Sequence, residues 1–245
     1  MKKNRKYGLI GKNIDYSFSK KFFSEKFEKE NLNCIYSNFD VENISHVKLI
    51  LQDDAINGFN VTIPYKEEIL KFLDEIDEAA KTIGAVNTIK KINNKYIGFN
   101  TDFIGFEKSL IGLIENKKPE NALILGSGGA SKAVKYVLNK LNINYSTVSR
   151  KSGKSEFIYE NLNNEIINSF KLIINCSPVG TYPNTNDRPN IPYEYLTEDH
   201  ILYDLIYNPA ETLFLKKGRT SGCKIKNGFE MLEVQANEAW RIWNS

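Results

Sequence analysis

Residues 121–151 read NALILGSGGASKAVKYVLNKLNINYSTVSRK, and the rest of the chain is best read outward from them. The apolar run ending at Leu125 has the continuous hydrophobicity of a strand buried on both faces. SKAVKYVLNKL then takes up the helical period, and NYSTVSR returns to strand character. Strand, helix and strand in that order predict a βαβ unit and a parallel sheet. The turn between them is GSGGAS, with Gly126, Gly128 and Gly129 just ahead of the helix. Missing side chains there permit a tight turn and let backbone N–H groups approach a pyrophosphate, whose charge favours a helix N-terminus. Ser131 stands at the third small position of the G-x-G-x-x-G spacing, so a turn required only for packing stays open as an alternative.

The far end of the second strand bears on which dinucleotide would bind. An NAD site usually places a carboxylate there for the ribose 2′-hydroxyl. This chain has Ser149, Arg150 and Lys151. A guanidinium binds a 2′-phosphate through charge-assisted hydrogen bonds and a serine adds a hydroxyl, so NADP is favoured over NAD. Taken alone, Arg150 could equally be a solvated charge at a strand end.

Further strands are expected at KLIINCS, HILYDLIY and CKIKN, before a final amphipathic helix, GFEMLEVQANEAWRIW, whose Met231, Val234, Trp240 and Trp243 could face either of two domains. On the N-terminal side, DFIGFEKSLIGLIENKKPE reads as a helix joining the domains, with Asp102 as its N-cap and Pro119 beyond its end. Ahead of it, strands are expected at YGLIG, CIYSNFDV and INGFNVTI, and AVNTIKKI and KYIGFN form a hairpin about Asn93 and Asn94. SKKFFSEKFEKENL and DEIDEAAKTIG, which ends at Gly84, read as sheet-covering helices. The class is α/β, in two domains.

Composition is that of an ordinary globular chain: 245 residues, 41% hydrophobic, 26% charged and a net charge of +3. Lysines are interspersed with acids, so no basic tract suggests nucleic-acid binding. Cys34, Cys176 and Cys223 have neither disulfide-framework nor zinc spacing. The segment MKKNRKYGLIGK lacks the apolar stretch of a signal peptide, and nowhere do about 18 apolar residues run together. A cytoplasmic protein with a small-molecule partner is expected, with no membrane or nucleic-acid partner and no metal, as a monomer or a homodimer.

Two short motifs place polar residues at strand ends, where α/β sheets carry their chemistry. NVTIPYK, residues 60–66, presents Thr62 and then breaks at Pro64, leaving Lys66 just beyond the strand. GFNTD places Asn100, Thr101 and Asp102 at a helix start. A lone lysine is commonly a snorkelling surface residue and an aspartate there commonly a cap, so neither is catalytic on local sequence alone. His46 and His200 lie in no nucleophile motif, and no His/Cys cluster suggests a metal. If a proton must move, a lysine and carboxylate pair is what remains.

Taken together and in order, these stretches resemble the shikimate dehydrogenase family over nearly the whole chain. GLIG followed by SFS is similar to the family's amino-terminal signature and implies Ser17 and Ser19 on the substrate carboxylate. NVTIPYK resembles NVTxPxK and implies a substrate-binding Thr62 and catalytic Lys66. AVNT supplies Asn87, and GFNTDFIGF supplies Asp102, the other catalytic position. GSGGAS resembles the GAGGA turn, implying cofactor contacts at Gly126, Ser127, Gly128, Gly129 and Ala130. SRK resembles NRT, implying that Ser149, Arg150 and Lys151 read the NADP phosphate. NCSPVGT resembles NATPxGM and brings in Ser177. YDLIYNPAETLFL resembles D-x-x-Y-x-P-x-x-T-x-L and implies Tyr207 as a substrate contact. NGFEMLEVQA resembles DGLxMLxxQA, with Gly228 and Met231 near the nicotinamide and Gln235 on the substrate. The family's proline and histidine before the serines are Asn13 and Tyr16 here, and the proline after them is Lys20.

The resemblance implies a substrate domain over residues 1–102, completed by 229–245, and a Rossmann-like NADP domain over 103–228, with a cleft between them. It also implies an NADP-dependent oxidoreductase acting on a CH–OH group, reducing 3-dehydroshikimate reversibly to shikimate in aromatic amino acid biosynthesis, with Lys66 as the acid and Asp102 holding it and a substrate hydroxyl. The neighbouring readings are an NAD-dependent quinate/shikimate dehydrogenase and a non-catalytic NADP-binding regulator on the same fold.

Overall fold

The computed structural model describes residues 5–15, 17–114, 117–150, 153 and 155–245. The chain divides into two compact units, Met1–Thr101 with Gln235–Ser245, and Asp102–Val234.

The first unit holds a six-stranded sheet in the order β2-β1-β3-β5-β6-β4, built from β1 (Arg5–Gly11), β2 (Cys34–Asp40), β3 (Ile56–Val61), β4 (Glu75–Ile76), β5 (Thr88–Ile92) and β6 (Lys95–Phe99). Strands β1, β2 and β3 run parallel; β5 is antiparallel to β3 and β6. Asn93 and Asn94, both at positive φ (49° and 62°), close the β5–β6 hairpin. Asparagine tolerates that left-handed pair better than most residues, and the primed turn it makes suits the strand twist. Helix α1 (Phe18–Lys29) buries Phe23 and Phe27, and two shorter helices, α2 (Val47–Leu51) and α3 (Glu78–Ile83), complete the unit.

The expected helix over 74–84 is shorter than its acidic pattern suggested. Glu75 and Ile76 pair with β6 as a strand, and Asp77 caps α3 by accepting from the Ala79 and Ala80 N–H groups. The carboxylate therefore sets the helix start, and Gly84 at φ 70° ends it.

The second unit is an all-parallel six-stranded sheet in the order β12-β11-β10-β7-β8-β9: β7 (Asn121–Leu125), β8 (Asn144–Ser149), β9 (Phe157–Ile158), β10 (Leu172–Asn175), β11 (Ile201–Asp204) and β12 (Lys224–Lys226). Leu123, Ile124, Ile173, Ile174, Leu202 and Tyr203 are all fully buried. Both faces of the central strands are therefore covered, which is why their sequences are continuously apolar. Helices α4 (Asp102–Ile114), α5 (Gly129–Lys140), α6 (Asn164–Ser169) and α7 (Leu213–Thr220) belong to this unit. Asp102 is the first residue of α4 rather than the residue before it, so its carboxylate sits within the helix's first turn.

Helix α8 (Phe229–Asn244) answers the question its amphipathic pattern left open, because it serves both units in turn. Met231 joins the apolar core of the second unit. Trp243 stacks on Tyr7 at 4.6 Å between ring centroids and donates its Nε1–H to the Ile89 carbonyl at 3.0 Å. A Cβ on Gly58 would lie 2.4 Å from that indole nitrogen, so glycine at 58 is what admits the tryptophan.

Candidate active site

In the second unit the predicted cofactor residues gather at the carboxyl ends of the parallel strands. After β7 the chain runs through α5 to β8 on one side, whereas β10 lies on the other, so the strand order, though not the strand direction, reverses between β7 and β10. Open α/β sheets bind ligands at such a reversal. Gly126 leaves β7 there with φ 104°, and a Cβ would meet the Ser177 backbone nitrogen at 3.2 Å. This glycine is required by both its conformation and its neighbour.

Gly128 differs: it precedes α5 with ordinary φ, and open space surrounds the position its Cβ would take. No side chain among the described residues caps α5. The Ser131 N–H already donates to the Gly128 carbonyl at 2.9 Å, and the dipole of the helix favours an anion at this end. Ser131 is buried and its hydroxyl donates to the Gly128 carbonyl at 2.6 Å, so a serine is small enough for the third position and also braces the turn.

At the end of β8, Ser149 is buried, its hydroxyl 2.8 Å from that of Ser155, and Arg150 is exposed just beyond. Lys151 lies outside the described residues. Ser177 follows β10 with its hydroxyl and N–H both donating to Asn175 Oδ1, at 2.6 and 3.0 Å. Gly228 presses on the turn after β11: a Cβ would stand 2.1 Å from the Leu205 carbonyl oxygen.

In the first unit three of the predicted substrate residues, Ser19, Asn87 and Gln235, are tied together by buried side chains, whereas Asp102 and Tyr207 fall in the second unit. Asn87 accepts at Oδ1 from the Thr101 N–H at 2.7 Å, and its Nδ2 donates to Thr101 Oγ1 at 2.9 Å and to Gln235 Oε1 at 3.3 Å. Asn60 donates to the Asn87 carbonyl and to Thr88 Oγ1, both at 3.2 Å, and accepts from the Tyr36 hydroxyl at 2.8 Å. The same Tyr36 hydroxyl is hydrogen-bonded to Ser19, and burial pushes its pKa well above the ordinary tyrosine value. The network therefore runs from Ser19 through Tyr36, Asn60, Thr88, Asn87 and Thr101 to Gln235. Asn60, Asn87, Thr88, Thr101 and Gln235 are all buried, so desolvated groups without these partners would each be costly.

Ser17 precedes α1 as its N-cap without a capping side-chain hydrogen bond, which leaves the hydroxyl to other duties. Thr62 and Lys66 follow β3, both partly buried. The turn that carries them is fixed by backbone bonds from Thr62 N to Ile10 O (2.9 Å), Tyr65 N to Thr62 O (2.9 Å) and Val86 N to Lys66 O (2.8 Å). Tyr16 falls outside the described residues.

The model of the "Shikimate dehydrogenase substrate binding domain" matches residues 9–89. The shikimate dehydrogenase (NADP(+)) of Methanococcus aeolicus is 40% identical, over 98% of this chain and 92% of its own length. The chain belongs to the shikimate dehydrogenase family. Among solved structures, shikimate 5-dehydrogenase from Thermus thermophilus in complex with NADP(H) and shikimate matches with a TM-score of 0.86 at 28% identity, covering 97% of this chain and 92% of that one. Quinate dehydrogenase from Corynebacterium glutamicum in complex with NAD matches equally well, with a TM-score of 0.86 at 25% identity over 98% and 93%. Structures named for shikimate and for quinate dehydrogenase thus share this backbone.

Among the described residues, no group of His, Cys, Asp and Glu side chains is arranged to hold a metal, no helix is long and apolar enough to cross a membrane, and the three cysteines are free. Asn60, Thr88, Asn175 and Asp204 stand inside the quoted motifs with no role assigned to them there, and Tyr36 lies outside the motifs; all five take part in buried hydrogen bonds. Their signal was present as polar residues inside apolar strands, such as Asn175 closing LIIN. Such positions are expected to carry hydrogen-bond networks when buried.

Proposed function

We propose that the first unit holds shikimate and the second NADP, and that Lys66 moves the proton while hydride passes between nicotinamide and ring. The chain is an NADP-dependent shikimate dehydrogenase, an oxidoreductase that reversibly reduces 3-dehydroshikimate to shikimate. The observation that carries the reading is family membership over nearly the full length, with a relative named for NADP(+). The two sets of residues described above supply the chemistry.

Shikimate is a carboxylate with several ring hydroxyls. Ser17 and Ser19 suit the carboxylate as neutral donors; Thr62, Asn87 and Gln235 suit the hydroxyls, and Tyr207 is the contact supplied by the turn after β11. The network through Tyr36 and Asn60 holds Ser19 and Asn87 in fixed rotamers, which lowers the entropy lost on binding. Gly126, Ser127, Gly128, Gly129 and Ala130 would cradle the pyrophosphate, Ser149, Arg150 and Lys151 the 2′-phosphate, and Ser177, Gly228 and Met231 the nicotinamide end. When bound, NADPH supplies the hydride. Reduction leaves an alkoxide that must gain a proton, and the Lys66 ammonium is the donor, with Asp102 holding it and a substrate hydroxyl in position.

An uncharged ribose 2′-hydroxyl gives Arg150 no phosphate to bind, which favours this reading over NAD-dependent quinate oxidation. Steady-state rates with shikimate and quinate, each with NADP and NAD, test the choice. Shikimate with NADP should give the highest kcat/KM; quinate with NAD in that place would overturn it.

A further inference from the structure

Leu125, Asn175 and Asp204 end β7, β10 and β11 in register, side by side at the edge where the dinucleotide is placed. Asp204 is fully buried, and nothing in the reaction above uses it. Its Oδ1 accepts from Asn175 Nδ2 at 3.0 Å and from the Ile206 N–H at 3.1 Å; its Oδ2 accepts from the Thr212 hydroxyl at 2.6 Å. Each donor belongs to a different piece of the rim. Asn175 holds Ser177 through its own Oδ1. Ile206 lies in the turn that carries Tyr207, and its carbonyl accepts from the Gly228 N–H at 3.0 Å. Thr212 caps α7. One carboxylate therefore joins the turns of Ser177, Tyr207 and Gly228.

We propose that Asp204 is a positioning residue for the dinucleotide, fixing the Ser177 and Gly228 turns relative to each other. The inference rests on the reading that this unit binds NADP. Asparagine has one accepting oxygen instead of two, so Asp204→Asn cannot keep all three donors satisfied, and the turns should loosen.

The stability side follows from burial, which raises the Asp204 pKa to about 6 from an ordinary 3.8 against the opposing pull of the Thr212, Ile206 and Asn175 hydrogen bonds. Between those values the folded chain binds more protons than the unfolded one. The contribution of Asp204 to stability is thus fully present below about 4 and is lost as pH rises through about 6. Cys176, Tyr193 and Tyr203 are the titratable groups interacting with the carboxylate, and burial raises the pKa of all three, which keeps them neutral across this window.

The test compares full-length wild type, Asp204→Asn and Thr212→Val by steady-state kinetics, NADPH binding followed by fluorescence, and thermal melting across the acid-to-neutral range. Asp204→Asn should raise KM for NADP and Kd for NADPH about tenfold, the effect of one or two displaced hydrogen bonds. The Tm deficit of Asp204→Asn should be smaller at neutral pH, where the wild-type carboxylate is ionised, than on acidification, where it is neutral. Thr212→Val should weaken NADPH in the same direction by a smaller factor. Unchanged NADP affinity in Asp204→Asn would overturn the proposal, as would a loss of affinity that tracks a fall in Tm. If wild type binds no NADPH, the functional reading fails; if it binds NADPH but turns over nothing, the binding comparison still decides the role of Asp204.

Discussion

The two units build their binding surfaces by opposite means. In the first, the proposed recognition rests on side chains locked into one another: Asn87, Thr101 and Gln235 share a buried network that continues through Asn60 and Tyr36 to Ser19. In the second, the proposed recognition rests on side chains that are missing. Gly126, Gly128 and Gly228 leave backbone exposed or admit a neighbouring turn, and the α5 N-terminus has no side-chain cap. The difference matches the ligands assigned to them. A ring with distinct hydroxyls calls for directional donors and acceptors, whereas a pyrophosphate is satisfied by backbone N–H groups. The first unit should therefore be sensitive to deleting side chains, and the second to adding them.

Lys66→Ala should have the largest effect, lowering kcat by roughly 10² to 10⁴, the usual contribution of a general acid, while NADPH titration shows unchanged affinity. Near-normal turnover at saturating substrate would remove Lys66 from the chemistry. Next, Gly228→Ala forces a Cβ to within 2.1 Å of the Leu205 carbonyl oxygen, so denaturant unfolding should show a loss of about 3 kcal/mol. Gly128→Ala, with open space at the same atom, should fold normally and be weakened only toward NADPH, which makes the pair a direct check on why each glycine is there.

Smaller effects separate the ligands. Arg150→Ala should raise KM for NADP roughly 10-fold or more through lost charge-assisted hydrogen bonds, and narrow the preference over NAD, without moving KM for shikimate. Gln235→Ala should do the reverse by about 10-fold, because it removes the proposed substrate contact and the Oε1 to which Asn87 Nδ2 donates. If either variant altered both KM values equally, the division of labour between the units would not stand.

Much of this was legible in the chain before its fold was known. The βαβ unit around GSGGAS follows from composition and period alone, since a doubly covered strand must be apolar throughout and a turn at the sheet reversal needs Gly126. Lys66 and Asp102 were not legible in that way. A lysine after a strand and an aspartate at a helix start have ordinary structural explanations, and only the ordered set of motifs lifted them above those. The strand at Glu75–Ile76 was hidden because two residues carry no period, and an acidic run with helical spacing continues through them. Asp204 and Asn175 were visible as motif positions, but their pairing was hidden because it depends on a register shared by strands distant in sequence. The faces of α8 were hidden for a similar reason: one amphipathic stripe serves Met231 in one core and Trp243 in another.

The central claim is that these two surfaces serve one reaction, and it is tested most directly by mixing the purified chain with shikimate and NADP and following NADPH absorbance. The account predicts NADPH formation that depends on shikimate and reverses when 3-dehydroshikimate is supplied with NADPH. A chain that binds NADPH in a parallel titration yet forms none from shikimate would be a dinucleotide-binding regulator on this fold, and would contradict the account.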